Sequence, residues 1–335
     1  MRDYLMTIID GMSKGLFASL IVGVILRQIG ILTNIEMIET IGQLAQFLMG
    51  ASIGVGIAYA RGASLFTLLA STVTGTIGAG SISIFTNDVG LSIYAIGVGE
   101  PVGAFVASII GVEIGKLIEG RVKFALLIAP AVVILSGGIA GIFVSPYISS
   151  VMNQIGIMVN HFTLLQPLPM GLLLGLIIGS VVTLPISSAA LCIAINISGI
   201  SAGAAVAGTS AQMIGFAVSS FRENKFEGLL SQGLGTSMLQ MKNVIRNPWI
   251  WLPASVASAV GGALSTTVFQ METTPIGAGM GTSGLVGQLE TLSFMGEGAL
   301  PQIIILHVLI PATISIVISE FLRHRRLIRF GDMRI

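Results

Sequence analysis

The sequence predicts an all-α polytopic membrane protein with about ten transmembrane helices. Three observations support this class: 53% of the 335 residues are hydrophobic, only 9% are charged, and several long stretches contain no charged residue. A soluble domain carries about 25% charged residues, whereas a helix that crosses a bilayer needs roughly 20 mainly apolar residues. The net charge of +1 offers no electrostatic basis for binding nucleic acid, so the lipid bilayer is the expected surroundings and nucleic acid is not an expected partner.

The first 14 residues are predicted to form an interfacial helix that lies on the membrane. Leu5, Ile8 and Met12 recur at helical spacing, which is typical of an amphipathic surface helix. The apolar run that follows has no small-residue cleavage site and continues past Arg27. We therefore interpret it as a retained first span rather than a signal peptide.

Charge-free stretches and the placement of lysine and arginine locate the spans. Basic residues cluster near Arg61, within 222–246 and in the tail 321–335, and loops that carry them are expected in the cytoplasm. Residue 167 is then outside the cell and residue 222 inside, so the number of membrane crossings between them must be odd. Three crossings of about 18 residues each fit this stretch. The predicted spans are 15–34, 40–60, 62–86, 99–118, 124–145, these three, 249–270 and 299–320. These ten spans place both termini in the cytoplasm. Eight spans plus re-entrant hairpins would also place both termini there, and the sequence is compatible with either arrangement.

Glu100 is the first candidate for a functional residue, because it is a carboxylate in otherwise apolar sequence. A charge at the middle of a bilayer costs about 3 kcal/mol even on the mildest insertion scale, so such residues usually have a function. Pro101 removes a backbone donor and disfavours helical torsions at Glu100. We predict a broken helix here, with freed polar groups that line a cavity.

Glu297 repeats this arrangement near the other end of the chain. It lies between Gly296 and Gly298, and Pro301 follows four residues later. Two glutamates that face one water-accessible pocket would suit a transport site. The alternative places both glutamates in loops at the membrane surface.

A repeated triplet supplies further candidates. Gly-Thr-Ser occurs at 208–210, 235–237 and 281–283, followed in turn by Gln212, Gln240 and Gln288. Hydroxyls and amides offer donors and acceptors without a fixed charge, as a polyhydroxyl solute requires. The 235–237 copy lies among basic residues and is interpreted as a capped turn. The glycine density of 277–284 favours a re-entrant loop there, which would present Thr282 and Ser283.

Cysteine and histidine give no basis for a metal or a cofactor. Cys192 is the only cysteine and is predicted to be a small packing residue. His161, His307 and His324 are too scattered in the sequence for a metal site. His307 lies in an apolar span, where a satisfied core histidine is favoured over a proton or hydrogen-bond partner.

Two short motifs resemble those of a known family. Gly97-Val98-Gly99-Glu100-Pro101 resembles the G-I-T-E-P motif of sugar-transporting IIC components of the bacterial phosphotransferase system, and residues 296–301 resemble the T-E-G-A-I-P motif of the fructose-type members. A longer block is similar to a IIC-like subfamily that includes proteins named perfringolysin O regulators. That block comprises residues 184–190, 211–218, 233–240 and 277–288.

The resemblance covers most of the chain and implies a single IIC-like domain over residues 1–335. It also implies a homodimer in the bacterial plasma membrane, whose inward-pointing glutamates bind sugar hydroxyls. Family members pass the sugar to a IIB partner at the cytoplasmic face. This sequence contains no IIA or IIB domain, and Cys192 lies within a predicted span, where a phosphocysteine could not serve. We therefore expect no phosphorylation site in this chain and no enzymatic activity of its own.

Three functional hypotheses follow. The first is a transporter that moves a small polar, carbohydrate-like solute by alternating access. Its expected substrate-binding residues are Glu100, Pro101, Gln212, Thr282, Ser283, Gln288 and Glu297. The second is a membrane sensor or regulator that binds a ligand without moving it. The third is a proton-coupled secondary transporter that uses Glu100 or His307 as the proton site.

Overall fold

The computed structural model describes residues 2–335 except 88, 89, 96, 120, 123 and 164. The chain divides into two compact units, an N-terminal unit (Met1–Val151) and a C-terminal unit (Met152–Ile335). Most of the described residues are helical, as the sequence predicts. The single domain over residues 1–335 stays a prediction.

The N-terminal unit contains short, glycine-rich helices and one β-hairpin. Its elements are α1 (Arg2–Leu16), α2 (Val22–Thr33), α3 (Glu36–Phe47), α4 (Met49–Ala60), α5 (Leu65–Ala79), β1 (Ile82–Asn87), β2 (Gly90–Ala95), α6 (Pro101–Ile118) and α7 (Ala125–Phe162), the last of which extends into the C-terminal unit.

The interfacial helix predicted for residues 1–14 is not a separate element in the structure. A π-helical turn over Phe17–Ile21 joins α1 directly to α2, so that one apolar helix runs from Asp3 to Thr33. The face that suggested a surface helix is buried against protein: Ile8 and Met12 are inaccessible, and α1 packs on α4. The amphipathic pattern therefore marks the face by which α1 packs on α4, and the place of this helix relative to the membrane stays a prediction.

The hairpin is the exception to the predicted all-α class. β1 and β2 pair antiparallel, from Ile82 opposite Ala95 to Asn87 opposite Gly90. The β-branched and aromatic residues of β1 favour an extended chain. The predicted span 62–86 is shortened as a result, because its helix ends at Ala79 and Gly80 caps it with a φ of 65°. The connection at residues 88 and 89 lies outside the described residues.

Polar contacts connect the end of α4 and the start of α5 to helix α6 in the N-terminal unit. Arg61 Nε donates to Glu113 Oε1 at 2.5 Å, and the guanidinium lies 4.5 Å from the centre of the Tyr4 ring. Glu119 accepts hydrogen bonds from the backbone N–H and the hydroxyl of Ser64. Burial acts to raise the pKa of Glu119, but these hydrogen bonds and nearby positive charge leave it below its ordinary value. The carboxylate therefore stabilises the fold at neutral pH, and this contribution is lost as the pH falls through the lowered pKa.

The C-terminal unit contains long helices interrupted by short ones. Its elements are α8 (Pro167–Thr183), α9 (Ser188–Ala194), α10 (Gly199–Ser219), α11 (Phe221–Leu230), α12 (Met241–Arg246), α13 (Leu252–Leu264), α14 (Pro275–Met280), α15 (Val286–Met295), α16 (Leu300–Ile304) and α17 (Ile310–His324). Helices α8, α10 and α13 pack together, and α17 packs on α10 and α13.

The three crossings predicted between residues 167 and 222 are not all present. The middle helix, α9, has seven residues and is about 10 Å long, too short for a hydrocarbon core of about 30 Å. Pro185 precedes it, and Asn196 and Gly199 follow it with positive φ. These residues stop the apolar sequence from continuing as a helix. The short helices α9 and α14 pack against each other instead.

Six helical segments are long and apolar enough to cross a membrane. They are Asp3–Thr33, Pro101–Ile118, Leu126–Val144, Gly199–Ser219, Pro248–Phe269 and Glu297–His324. The pair α3 and α4, bent by 54°, forms a seventh if it is one broken span. The described residues thus support a multi-pass membrane protein, but they do not confirm ten spans or the side on which the termini lie.

The sequence predicts a basic cytoplasmic tail over residues 321–335, but residues 321–324 belong to α17, and residues 325–335 pack onto the C-terminal unit. Ile328 and Met333 are buried. The carbonyl of Met333 accepts hydrogen bonds from Gln240 Nε2 at 2.8 Å and Asn224 Nδ2 at 2.7 Å. Buried backbone acceptors with amide partners are held in place. The segment is therefore part of the folded unit, although its basic composition suggests a solvated tail.

Candidate functional site

Glu100 lies at the start of a helix rather than within a broken one. It precedes Pro101, the first residue of α6, and its torsions are extended (φ −106°, ψ 125°). The preceding residues 90–95 form a strand, so the predicted helix break is a junction between strand and helix. The Glu100 N–H donates to the carbonyl of Ala79 at 2.8 Å. Gly99 is required there, since its φ is 81° and a Cβ would overlap that carbonyl oxygen.

A cavity of about 200 Å³ adjoins Glu100 within the N-terminal unit. It is lined by Gly78, Ala79, Gly80, Gly99, Glu100, Gly103 and Ile148. Glycine and alanine leave the backbone accessible, so the carboxylate is the charged group of this lining. Ligand pockets usually measure about 300–1,000 Å³, so this cavity is smaller than a typical binding site for a whole solute.

The glycine-rich segment 277–284 contains the backbone break that its composition predicts. Helix α14 ends at Met280, Gly281 has a φ of 54°, and a short 3₁₀ turn over Ser283–Leu285 leads into α15. Ser188 Oγ and Thr209 Oγ1 donate to the carbonyls of Gly279 and Ala278, and so fasten the segment to α9 and α10. The break is therefore built into the interior of the unit.

Thr282 and Ser283 are both buried at this break. Thr282 is 1% exposed, and its hydroxyl donates to Met213 Sδ at 3.5 Å. Ser283 is 4% exposed, and its hydroxyl has no hydrogen-bond partner among the described residues. A buried hydroxyl without a partner is uncommon and indicates a water or a ligand.

Gln288 joins this segment to α10 and to the last span. Its Nε2 donates to Ser210 Oγ at 3.0 Å and lies 3.2 Å from His307 Nδ1. Because an amide nitrogen only donates, His307 Nδ1 accepts and the imidazole proton resides on Nε2. That Nε2 and Gln288 Oε1 are buried, and neither has a partner in the described structure. The pair thus presents one unused donor and one unused acceptor.

Gln212 points away from this cluster, although it also lies on α10. Its amide oxygen accepts from Trp251 Nε1 and, at 3.1 Å, from Thr183 Oγ1. Its nitrogen donates to Ser258 Oγ at 3.0 Å and to the carbonyl of Ala254 at 3.3 Å. Both polar atoms of the Gln212 amide already have hydrogen-bond partners within the protein, so Gln212 is not included in the proposed solute site.

Glu297 is exposed at the start of the last candidate span. It opens a 3₁₀ turn that leads into α16, after Gly296 with a φ of 84°. A carboxylate at the first turn of a helix is stabilised by the helix dipole. Glu100 and Glu297 belong to different units, and their common pocket stays a prediction.

Ser210 was not among the predicted site residues, and a satisfied core histidine was the favoured interpretation of His307. Ser210 belongs to the first Gly-Thr-Ser triplet, which was a usable signal. His307 lies in a π-helical turn (Ile305–Leu309) inside the last span, and no feature of the sequence pattern predicts that turn. π turns are frequent at functional sites because they redirect side chains. Thr282 and Gln288 each contact α10, and Gln288 in turn contacts His307.

These features define a multi-pass membrane protein with a buried polar site at interruptions of its helices. The family model described as "Phosphotransferase system, EIIC" matches residues 6–335, so the chain belongs to this family. The resemblance drawn from the motifs is confirmed. Searches of curated proteins and of solved structures gave no significant match. Membership makes this chain a sugar-transporting membrane component in general, and the EIIC domain is the membrane translocation component of its system.

Proposed function

We propose that the protein moves a small polyhydroxyl solute across the membrane by alternating access. The observation that carries the proposal concerns three buried polar atoms that have no hydrogen-bond partner among the described residues: Ser283 Oγ and Gln288 Oε1, which follow the glycine-rich break, and Nε2 of His307, which Gln288 contacts. Leaving such an atom unpaired costs about 1–3 kcal/mol, which a solute hydroxyl would recover by bonding to it. Hydroxyls both donate and accept, and therefore match this mixed set without a charge.

Glu100 and Glu297 are proposed to accept hydrogen bonds from solute hydroxyls, as the family motifs imply. Thr282 is proposed as a further contact, because it lies at the same backbone break as Ser283. Pro101 keeps Glu100 out of helical geometry. Alternating access would use the interruptions at α9 and α14, since interrupted helices are the usual substrate sites of transporters.

Any phosphorylation of the solute is assigned to a separate IIB partner. Cys192 is buried in the apolar core around α8 and α10, as predicted for a packing residue. The histidine of the polar cluster is likewise buried. We further propose a homodimer in the bacterial plasma membrane, on the grounds of family membership.

Replacing Gln288 by leucine should weaken solute binding by about tenfold or more, because it removes both the unused acceptor and the donor that orients His307. The unfolding temperature should fall as well, because the buried Nδ1 of His307 loses its donor, at a cost of about 1–3 kcal/mol. Radiolabelled mono- and disaccharides and polyols bound to purified protein in detergent provide the measurement. Gln212→Leu is the matched control: it should lower the unfolding temperature more, because it breaks a fully bonded amide. Unchanged affinity in Gln288→Leu would remove Gln288 from the site.

Glu100→Gln should abolish or strongly weaken solute binding without unfolding the protein. The change keeps the shape of the side chain and removes the charge that accepts hydroxyl hydrogen bonds. Binding is measured by titration calorimetry and transport by uptake into proteoliposomes. Wild-type affinity in this variant would rule out the role of Glu100.

Uptake by the unmodified protein separates the three functional hypotheses. Accumulation of label supports a transporter, whereas binding without accumulation supports a sensor. Accumulation that requires an imposed pH gradient identifies proton coupling, for which the buried imidazole of His307 would be the first candidate.

A further inference from the structure

The end of the last helix carries a second cavity, well apart in sequence from the polar cluster around Gln288. Its volume is about 470 Å³. It is lined by Arg222, Arg323, Arg326, Ile328, Arg329 and Phe330. Four arginines around one cavity repel each other, so this arrangement needs compensation by negative charge.

Ion pairs among the described residues compensate two of these four arginines. Arg222 pairs with Glu320 at 2.7 Å, and Arg323 donates to both oxygens of Glu223 at 2.8 and 3.0 Å. Arg326 and Arg329 have no ion pair in the described part of the chain. The remaining carboxylate of the segment, Asp332, accepts from Asn247 Nδ2 and from the N–H of Arg329, each at 2.8 Å.

Arg323 provides a second, independent indication. Its side chain is 8% exposed, yet its Nε is buried without a hydrogen-bond partner among the described residues. A buried guanidinium N–H normally has an acceptor. The orphan atom and the uncompensated charge thus occur on residues that line the same cavity.

The backbone that presents these arginines is fixed. Asn247 Nδ2 donates to the carbonyl of Leu327 at 2.8 Å, and Ile328 packs in the apolar cluster with Phe216 and Leu322. The cavity is therefore formed before any ligand arrives, which lowers the entropic cost of binding.

We propose that this arginine cavity binds a phosphate group. Guanidinium groups are planar forks that match phosphate oxygens with two hydrogen bonds, and they hold their charge at every physiological pH. An anionic lipid headgroup and a free phosphate ion share this chemistry. Phe330, 79% exposed, and Phe321, 56% exposed, add apolar surface beside the arginines, as in segments that contact the membrane interface. The headgroup is the favoured source, because basic segments face the anionic cytoplasmic leaflet.

The test uses the full chain and two probes. Purified protein in detergent is titrated with orthophosphate. Separately, it is exchanged into mixed phosphatidylglycerol and phosphatidylcholine, and the retained lipid is identified by native mass spectrometry. The variant is Arg326→Gln combined with Arg329→Gln, because both residues lack an ion pair. Arg325→Gln is the matched control, an exposed arginine on the same segment that does not line the cavity.

The double variant should lose about tenfold or more of the affinity for whichever probe binds, whereas the control should stay close to wild type. Retention of phosphatidylglycerol without orthophosphate binding identifies a lipid headgroup site. Orthophosphate binding that displaces the lipid identifies a general phosphate site. Failure of both probes to bind would overturn the proposal, and so would an equal loss in Arg325→Gln, which would show diffuse charge attraction. The result is independent of solute transport, since none of these residues belongs to the polar cluster around Gln288.

Discussion

Replacing Gly203 by alanine should prevent the C-terminal unit from folding normally. Gly203 lies in α10, and a Cβ at this position would occupy the space of the Met271 carbonyl group. That carbonyl belongs to a buried residue whose N–H is bonded to Ser265, so the backbone has little freedom to move away. Forced backbone shifts in a packed interior cost about 3 kcal/mol or more. We expect a large drop in the unfolding temperature and little monodisperse protein after purification in detergent.

Gly261→Ala is the matched control for this prediction. It also adds one methyl group to a helix of the same unit, but the nearest atom to the new Cβ, the carbonyl oxygen of Ala207, lies 3.6 Å away. This is an ordinary van der Waals distance, so the unfolding temperature should stay the same or rise slightly, because alanine favours helix. Equal behaviour of the two variants would show that α10 does not approach Met271 as described.

Replacing Arg323 by methionine should destabilise the C-terminal unit by about 3–5 kcal/mol, because it leaves the carboxylate of Glu223 buried without its counter-charge. The Glu223 side chain is 1% exposed, and Arg323 bonds to both of its oxygens. The loss should appear as a lower unfolding temperature in phosphate-free buffer. It should also release the segment 325–335, detectable as faster hydrogen exchange at Met333 and its neighbours.

Two further variants show whether this loss comes from the buried charge. The double replacement Arg323→Met with Glu223→Leu should recover much of the stability, because it removes both charges together. Arg222→Gln breaks the exposed pair with Glu320, whose side chains are 59% and 44% exposed, and should cost about 1 kcal/mol or less. Similar losses in Arg222→Gln and Arg323→Met would contradict a special role for burial.

The sequence predicted those features that depend on local composition. Glycine density located the break at 277–284, and Pro101 located the start of a helix next to Glu100. The turn at 235–237 is also confirmed, since Thr236 caps the following 3₁₀ turn. In each case, the torsional limits of glycine and proline act within a few residues.

Features that depend on distant contacts could not be predicted in this way. Gln288 and His307 are 19 residues apart, and their contact depends on a π-helical turn that leaves no mark in the hydropathy pattern. The docking of residues 325–335 depends on amides such as Gln240, 93 residues before Met333. The basic composition of that segment predicts a solvated tail, but tertiary hydrogen bonds outweigh it. The hairpin at 82–95 was not predicted for another reason. A short apolar strand and the end of an apolar helix have the same hydropathy pattern.

The wider turn at Ile305–Leu309 has a geometric consequence for everything after it on the last span. In a regular α-helix each residue advances the side-chain direction by about 100°, so one extra residue in a turn changes the angular phase of all later positions. The π-helical turn therefore sets the direction in which the side chain of His307 points. It also sets the directions of later side chains on the same span, such as Ser319, Glu320 and Arg323. Shortening that turn by one residue would rotate the imidazole out of reach of Gln288. The same change would swing the guanidinium away from Glu223, so the two ends of this helix are oriented by one local departure from ideal winding.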